Sequence, residues 1–238
     1  MDEKRNDEFI EKMSQDVELK DLSHRWINKT AVHEYGYHFR WMGRPIIQLP
    51  QDIVAMQEII WEVKPDLIIE TGIAHGGSLI FSASMLELIG EDGRVVGVDI
   101  DIRKPNLEAI LRHPMANRIT MIEGSSVDDA IAEKVRAHAK NRKRVLVCLD
   151  SNHTHEHVLR ELELYAPLVT KGSYCVVFDT IVEDAPAGNR ERPWGKGNNP
   201  KTAVHEYLKT TDLFEIDKRI ENKLVLTVCP DGYLKRVG

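Results

Sequence analysis

A regular alternation of short apolar runs with helix-like segments, beginning near residue 63, constrains the fold of this chain most strongly. The apolar runs are nearly continuous, which is typical of strands that helices cover on both faces of a parallel sheet. In chain order these runs are DLIIET, GRVVGVDI, RITMIEG, KRVLVCLD and GSYCVVFDT. The pattern predicts an α/β domain over residues 63–238 with a doubly wound, Rossmann-like, mostly parallel sheet.

The two ends of the chain depart from this alternation. Two late runs, LFEIDK and KLVLTVCP, lie only a few residues apart, so we expect them to form a C-terminal antiparallel hairpin. Residues 1–62 are predicted to be an N-terminal extension with a polar helix, an aromatic-rich stretch and the helix PQDIVAMQEIIWEV. The aromatic residues there could cover an active site, contact another subunit or form a small separate core; they are Trp26, Tyr35, Tyr37, Phe39 and Trp41.

The charge and composition of the chain argue against nucleic acids and membranes as partners. The formal net charge of -6 argues against a protein that binds the phosphate backbone of nucleic acids. No apolar run approaches the ~20 residues of a membrane span, and the charged N-terminus does not resemble a secretory signal. Three cysteines without metal-ligand spacing (Cys148, Cys175 and Cys229) are expected to be reduced core residues. We therefore expect a cytoplasmic protein that acts on a small molecule. We also expect it to be a homo-oligomer.

The residues that follow each predicted strand point to a ligand. In such sheets, ligands bind outside the carboxyl ends of the strands, where this chain places Glu70, Asp99, Gly124-Ser125, Asp150 and Asp179. The turn TGIAHGGS fits neither G-x-G-x-x-G nor a P-loop. A carboxylate at Glu70 attracts a cation and repels a pyrophosphate, and Asp99 lies where a ribose diol would be bound. These features favour S-adenosylmethionine, although both acids could instead be solvated loop residues.

Two strand-end acids indicate a metal. The strands that end at Asp150 and Asp179 are predicted neighbours, ~4.8 Å apart, so both carboxylates can enter one site. A hard divalent cation such as magnesium (Mg2+) relieves their repulsion; alternatively, they cap neighbouring helices. His153 is the candidate catalytic base, because histidine titrates near neutrality. Asn152 is its rival for a direct substrate contact. His155 and His157 are weaker candidates that could be ordinary surface residues.

These motifs together resemble a known family. The series IIETGIAHGGSLIFSASML, GRVVGVDID, ITMIEGSSVD, VLVCLDSNHTHEHV and GSYCVVFDT is similar to the cephalosporin hydroxylase/rhamnosyl O-methyltransferase family over about residues 45–235. More distantly, it resembles the metal-dependent catechol-type O-methyltransferases. The resemblance implies a class I methyltransferase fold and a magnesium-assisted transfer of methyl from S-adenosylmethionine to a hydroxyl, of a sugar or a secondary metabolite.

The resemblance also implies roles for single residues. The methionine part of the cofactor would contact Glu70, Gly72, Ala74, Gly76 and Ser78. Its ribose would contact Asp99, and its adenine would lie against Gly124 and Ser125. Asp150 would also contact the cofactor. Catechol-type relatives carry a proton-accepting lysine where this chain has His153. Antibiotic-pathway relatives have Glu-Asp where this chain has Phe178-Asp179, and catechol-type enzymes have an amide where it has Thr180. The third metal ligand is therefore open between Thr180, Asn152 and water.

The segment VEDAPAGNRERPWGKGNNP is long for a connection between a strand and a helix, and such loops are functional or disordered. We expect a lid in which Arg192 and Trp194 contact the substrate; the alternative is a merely mobile loop. Glu183 and Asp184 could also approach the metal. Two other functions remain open: an NAD-dependent oxidoreductase on the same sheet, and a noncatalytic partner subunit of an oxygenase.

Overall fold

The computed structural model of the protein describes residues 2–184 and 191–238. The N-terminal part contains three helices and a small antiparallel strand pair. These elements are α1 (Glu3–Gln15), α2 (Val17–Ala31), β1 (Arg40–Trp41), β2 (Arg44–Pro45) and α3 (Pro50–Val63). A 3₁₀ turn at Tyr35–His38 connects α2 to β1.

The remainder alternates strands with helices, as the apolar runs predict. Its elements are β3 (Leu67–Thr71), α4 (Gly77–Ile89), β4 (Arg94–Asp99), α5 (Lys104–Leu111), β5 (Ile119–Glu123), α6 (Asp129–Ala139), β6 (Val145–Leu149), α7 (His155–Tyr165), β7 (Tyr174–Val177), α8 (Pro200–Tyr207), β8 (Phe214–Ile216), α9 (Lys218–Leu224) and β9 (Tyr233–Arg236). The strands form a seven-stranded sheet in the order β5-β4-β3-β6-β7-β9-β8.

The order of the strands fixes where a ligand can bind. From β3 the chain moves outward through β4 to β5, and then returns to place β6 on the other side of β3. The five strands from β3 to β7 are parallel, so their carboxyl ends share one edge. The order reverses between β3 and β6, which makes the crevice at that edge the expected ligand site.

Two apolar layers cover the sheet because neighbouring strand residues point to opposite faces. Ile68, Leu146 and Val176 face α3, α4 and α9 on one side. Ile69, Val147 and Val177 face α6, α7 and α8 on the other side. The strands β3 and β6 are buried over their whole length. This burial on both faces explains why those runs are continuously apolar.

The antiparallel C-terminal pair is confirmed, but the prediction of its second strand is wrong. β9 lies at residues 233–236 and pairs antiparallel with both β7 and β8. In the run KLVLTVCP, Lys223 and Leu224 end helix α9, and residues 225–230 follow it outside any strand. Asp217 begins that helix by accepting a hydrogen bond from the Arg219 amide at 3.1 Å. Leu224 and Val228 pack against the core, so their burial requires no strand.

The N-terminal extension is joined to the rest of the chain. Helix α1 contacts α9, where Arg219 donates to Asp7 at 2.7 Å. Helix α3 spans the predicted boundary at residue 62, and its Ile53, Met56 and Ile60 belong to the main core. The division into residues 1–62 and 63–238 therefore stays a prediction. Among the helices in the described part of the chain, none has the length and apolar character needed to cross a membrane.

Candidate active site

The glycine turn after β3 brings the ends of two strands into contact. Gly72 has a φ of +90°, and a Cβ there would lie 2.1 Å from the backbone oxygen of Asp150. Only glycine allows so close an approach in this conformation. Gly76, with a φ of +79°, begins helix α4. The turn therefore begins directly beside the end of β6.

Glu70 lies beneath this turn. Its side chain is 3% exposed, and the Ser78 hydroxyl donates a hydrogen bond to its Oε1. Burial raises the pKa of Glu70 from 4.5 to about 7, although the hydrogen bond from Ser78 acts in the opposite direction. A nearby cation would favour the ionised form of this carboxyl group. The residue is therefore suited to a positively charged group.

Asp99 organises the other side of the turn. Its Oδ2 accepts hydrogen bonds from the backbone amides of Ile73 (2.8 Å) and Ala74 (3.1 Å), and its Oδ1 accepts one from the Asp101 amide (3.1 Å). Ala74 has a φ of +45°, which these contacts help to hold. A carboxylate has about four acceptor positions, so Asp99 retains capacity for a ligand hydroxyl.

The end of β5 continues the same edge. The Gly124 amide donates to the Asp99 carbonyl at 2.8 Å, and a Cβ on Gly124 would lie 2.4 Å from Ile131 Cδ1. Ser125 follows, and its carbonyl accepts a hydrogen bond from Asp128 just before α6. The residues predicted to bind the cofactor thus form one continuous line across the carboxyl ends of β6, β3, β4 and β5.

Three side chains converge at the ends of β6 and β7. Asp150, His153 and Asp179 each offer one ligand atom, and these atoms lie within 4.8 Å of one another. His153 Nε2 lies 3.1 Å from Asp179 Oδ2. Desolvation and the nearby carboxylates of Asp179, Glu70 and Glu161 raise the pKa of Asp150 well above its ordinary value. Two carboxylates brought this close together match the donor set of a hard divalent cation.

The backbone at Asp179 is itself unusual. This residue has a φ of +55°, a left-handed conformation that costs free energy in a residue other than glycine. The Asp179 side chain is directed to the other two members of the group by this strained turn. Strain of this kind clusters at functional sites.

The two protein candidates for a third ligand have partners of their own. The Thr180 hydroxyl is buried and donates to the Val228 carbonyl at 3.5 Å. Asn152 Oδ1 accepts hydrogen bonds from the amide and the hydroxyl of Thr154, both at 2.9 Å. Asn152 thereby fixes the turn that leads into α7. Both stay predictions: the Thr180 oxygen keeps lone pairs for a metal, whereas both lone pairs of Asn152 Oδ1 accept from Thr154, so coordination by Asn152 would require one of those hydrogen bonds to break.

Other candidates from the sequence have contacts away from the three-residue group. Glu183 accepts from the Gly197 amide at 2.7 Å, and Asp184 accepts from Lys201 at 2.7 Å. His155 is hydrogen-bonded to Thr202 at 2.8 Å, which ties α7 to α8. His157 lies 3.1 Å from the Ser126 and Ser151 hydroxyls, next to fully buried Glu161.

A large cavity adjoins the three-residue group. Its volume is about 1150 Å³, and it is bordered by Asp179, Trp194 and the N-terminal aromatic residues Trp26, Tyr35 and Tyr37. Trp194 packs edge-to-face on His153 with 4.8 Å between ring centroids, and Arg192 lies 5.1 Å from the Trp194 ring. Residues 185–190 of the predicted lid lie outside the described residues.

The N-terminal aromatic residues separate into two groups. Trp26, Tyr35 and Phe39 form successive edge-to-face pairs with 5.0 Å between centroids. Trp41 instead packs on Phe81 of α4 and donates to Ser84 at 3.0 Å. Trp26 and Tyr35 border the cavity, whereas Phe39 and Trp41 pack against the core.

The sequence reasoning missed Asp52, a fully buried acid in the first turn of α3. It accepts hydrogen bonds from the Val228 amide at 3.0 Å and the Tyr233 hydroxyl at 2.9 Å. The Val228 carbonyl in turn accepts from the Ile181 amide at 3.1 Å, so Asp52 supports the segment after Asp179. Acidic residues are common in the first turn of a helix because the helix dipole stabilises negative charge there. Nothing in the sequence distinguishes Asp52 from other acids of this kind.

Comparison with known proteins finds relatives that are similar in sequence and in fold. The family model described as rhamnosyl O-methyltransferase/CmcI matches residues 33–237. A rhamnosyl O-methyltransferase of Mycobacterium leprae is 35% identical over 199 residues, covering 82% of each chain. One of Mycobacterium bovis is 34% identical over 202 residues, covering 82% of this chain and 77% of the relative.

The solved structures agree with the fold. A CmcI structure described with Mg and SAM superimposes with a TM-score of 0.60 at 21% identity, covering 85% of this chain and 78% of the other. At that identity, the likeness establishes the α/β methyltransferase-like architecture alone. The predicted doubly wound sheet is thereby confirmed.

Proposed function

Because the chain belongs to the rhamnosyl O-methyltransferase/CmcI family of S-adenosylmethionine-dependent methyltransferases, we propose that it methylates a hydroxyl of a sugar or secondary metabolite with the assistance of magnesium. The observation that carries the proposal is the group Asp150, His153 and Asp179. This group lies beside the glycine turn, as a metal and a methyl donor acting on one hydroxyl require.

The cofactor would lie along the carboxyl ends of the strands. Buried Glu70 would face the amino group of S-adenosylmethionine, and the turn from Gly72 to Ser78 would contact its methionine part. Asp99 would accept hydrogen bonds from the ribose hydroxyls, and Gly124-Ser125 would flank the adenine. The raised pKa of Glu70, about 7, supports the first assignment, because a cationic group would stabilise this carboxylate more than water does there.

Asp150 and Asp179 would hold the magnesium ion, with water, Thr180 or Asn152 completing its coordination. Magnesium bound there would polarise the acceptor hydroxyl and make it more acidic. His153 would act as the general base and accept the hydroxyl proton at Nδ1. Its Nε2 lies 3.1 Å from Asp179 Oδ2. An Nε2–H donated to that carboxylate would leave Nδ1 free to accept the proton, and the carboxylate would stabilise the resulting imidazolium. Trp194 restricts the imidazole ring from its other side.

The acceptor is inferred to be a small glycosyl molecule, because the relatives that are 34–35% identical are named for methylation of a rhamnosyl group. We also infer a cytoplasmic location, which the three buried and unpaired cysteines support. A homo-oligomer is supported by exposed apolar side chains on α3, where Val54 and Trp61 are 54% and 59% exposed.

The proposal is tested by incubating the protein with methyl-deuterated S-adenosylmethionine, magnesium and methyl or p-nitrophenyl α-L-rhamnopyranoside. We expect mass spectrometry to find the label on the sugar with the wild type and with Glu156→Gln, which alters an exposed acid of α7. We expect no labelled sugar with Asp150→Asn. Equal labelling by Asp150→Asn would refute the metal assignment, whereas binding of NADH in place of S-adenosylhomocysteine would favour the oxidoreductase.

A further inference from the structure

The walls of the cavity beside Asp179 differ in chemistry. Asp179 belongs to the three-residue group, and Trp194 packs on His153 of that group. Helix α2 contributes Trp26, Ile27 and Ala31, which form the α2 wall together with Asn28 and Thr30. The Thr30 hydroxyl donates to the Trp26 carbonyl at 2.9 Å. The α2 wall is therefore mainly apolar, whereas the side of the cavity that holds Asp179 carries charge.

The size of the cavity exceeds what the reacting part of an acceptor needs. Pockets for drug-sized ligands measure about 300–1,000 Å³, and this one measures about 1150 Å³. A single sugar ring whose hydroxyl lies at Asp179 would leave the α2 wall uncovered. A second portion of the acceptor can therefore extend to that wall.

Trp26 is held in place by its neighbours. Its ring packs edge-to-face on Tyr35 with 5.0 Å between centroids, and Tyr35 packs in the same way on Phe39. Edge-to-face pairs add about 0.5–1.5 kcal/mol to the burial of aromatic rings. A large aromatic ring in a fixed orientation is the kind of side chain that dominates selective binding.

Helix α2 also lies outside the region that defines the family. The family model begins at residue 33, whereas α2 covers Val17–Ala31. The α2 wall is thus supplied by a part of the chain that the family match does not include. A preference for particular acceptors that depends on the α2 wall would therefore not follow from membership of the family.

We propose that Trp26 is a specificity-determining residue that binds an apolar group attached to the reacting sugar of the acceptor. This inference rests on the proposed function, since it assumes that the reacting hydroxyl lies near Asp179. The apolar group would cover Trp26 and the neighbouring Ile27 and Ala31, and removal of that surface from water would favour binding. The sugar would remain beside Asp179.

The test measures binding of two rhamnosides that differ in the group attached to the sugar. Methyl and p-nitrophenyl α-L-rhamnopyranoside are titrated into the full chain with saturating S-adenosylhomocysteine and magnesium. We expect the wild type to bind the aryl glycoside about tenfold more tightly, and Trp26→Ala to lose that preference through a tenfold weaker Kd for the aryl glycoside alone. Trp26→Phe should keep most of the preference.

The matched control is Phe9→Ala, which removes an aromatic side chain from the exposed surface of α1, away from the cavity. It should bind both glycosides as the wild type does. Equal weakening of both glycosides by Trp26→Ala, or no change in either, would overturn the assignment, as would a wild type without preference for the aryl glycoside. Failure of the wild type to bind S-adenosylhomocysteine would instead overturn the proposed function.

Discussion

Substitution of Glu70 by glutamine should remove a large pH-dependent contribution to stability. Burial raises the pKa of Glu70 from 4.5 to about 7, a difference of about 2.5 units, which corresponds to roughly 3.4 kcal/mol at 1.36 kcal/mol per unit. An acid whose pKa is higher in the folded state stabilises the fold fully below its unfolded pKa. That contribution is lost as the pH rises through the folded pKa. For Glu70 the window therefore runs from about pH 4.5 to pH 7.

The assay is urea unfolding of the wild type and of Glu70→Gln at pH 5, 6, 7 and 8, without cofactor or metal. Glutamine cannot titrate, so the unfolding free energy of the variant relative to the wild type should rise by about 2.5 kcal/mol from pH 5 to pH 8. Buried Asp52, whose pKa is raised to about 6, contributes the same slope to both proteins and cancels. Glu123→Gln, at an exposed position, is the matched control variant.

The same carboxyl group should report cofactor binding. At pH 7 about half of the Glu70 side chains carry a proton, and a neighbouring amino cation would release it. Titration with S-adenosylhomocysteine in buffers of different ionisation enthalpy should therefore detect about half a proton more from the wild type than from Glu70→Gln. A pH-independent difference in stability, together with equal proton release, would refute a buried Glu70 near the amino group.

Three further predictions concern neighbouring residues. Asp99→Ala should weaken S-adenosylhomocysteine binding about tenfold while Tm changes little, whereas Asp179→Asn should spare that binding and abolish the benefit of magnesium; equal loss of cofactor affinity in both variants would contradict this division of roles. Gly72→Ala should destabilise the fold by more than ~2 kcal/mol in urea unfolding, because its Cβ would meet the Asp150 backbone; wild-type stability would show that the turn can shift. Asp52→Ala should raise the magnesium concentration needed for half-maximal activity several-fold, because Asp52 supports the segment after Asp179 through Val228; loss of stability with unchanged magnesium dependence would assign it a purely structural role.

Much of the site follows from the sequence because parallel strands end at one edge. The ends of β6 and β7 had to be neighbours once the sheet was recognised, and this placed Asp150 beside Asp179. The glycine turn and Asp99 are likewise adjacent because β3 and β4 pair in register. The prediction needed only the continuous apolar runs and the residues after them.

Other features depend on packing that no local pattern encodes. The apolar run at residues 223–230 resembled a strand because hydrophobicity reports burial and not conformation. Only its first two residues are helical, and Val228 and Cys229 are packed with the core from irregular structure. The Ser78 hydroxyl reaches Glu70 only because α4 begins at Gly76. Trp26 and Asp179 border one cavity because of where α2 packs. From the sequence, the aromatic residues of this region could equally cover an active site, contact another subunit or form a small separate core.

The most direct test of the central claim is a calorimetric titration of the protein with S-adenosylhomocysteine and, separately, with NADH, each with and without magnesium. The proposed function predicts stoichiometric binding of S-adenosylhomocysteine and no binding of NADH. Absence of S-adenosylhomocysteine binding under both conditions would contradict the claim, and would leave the glycine turn as a structural element of a noncatalytic subunit.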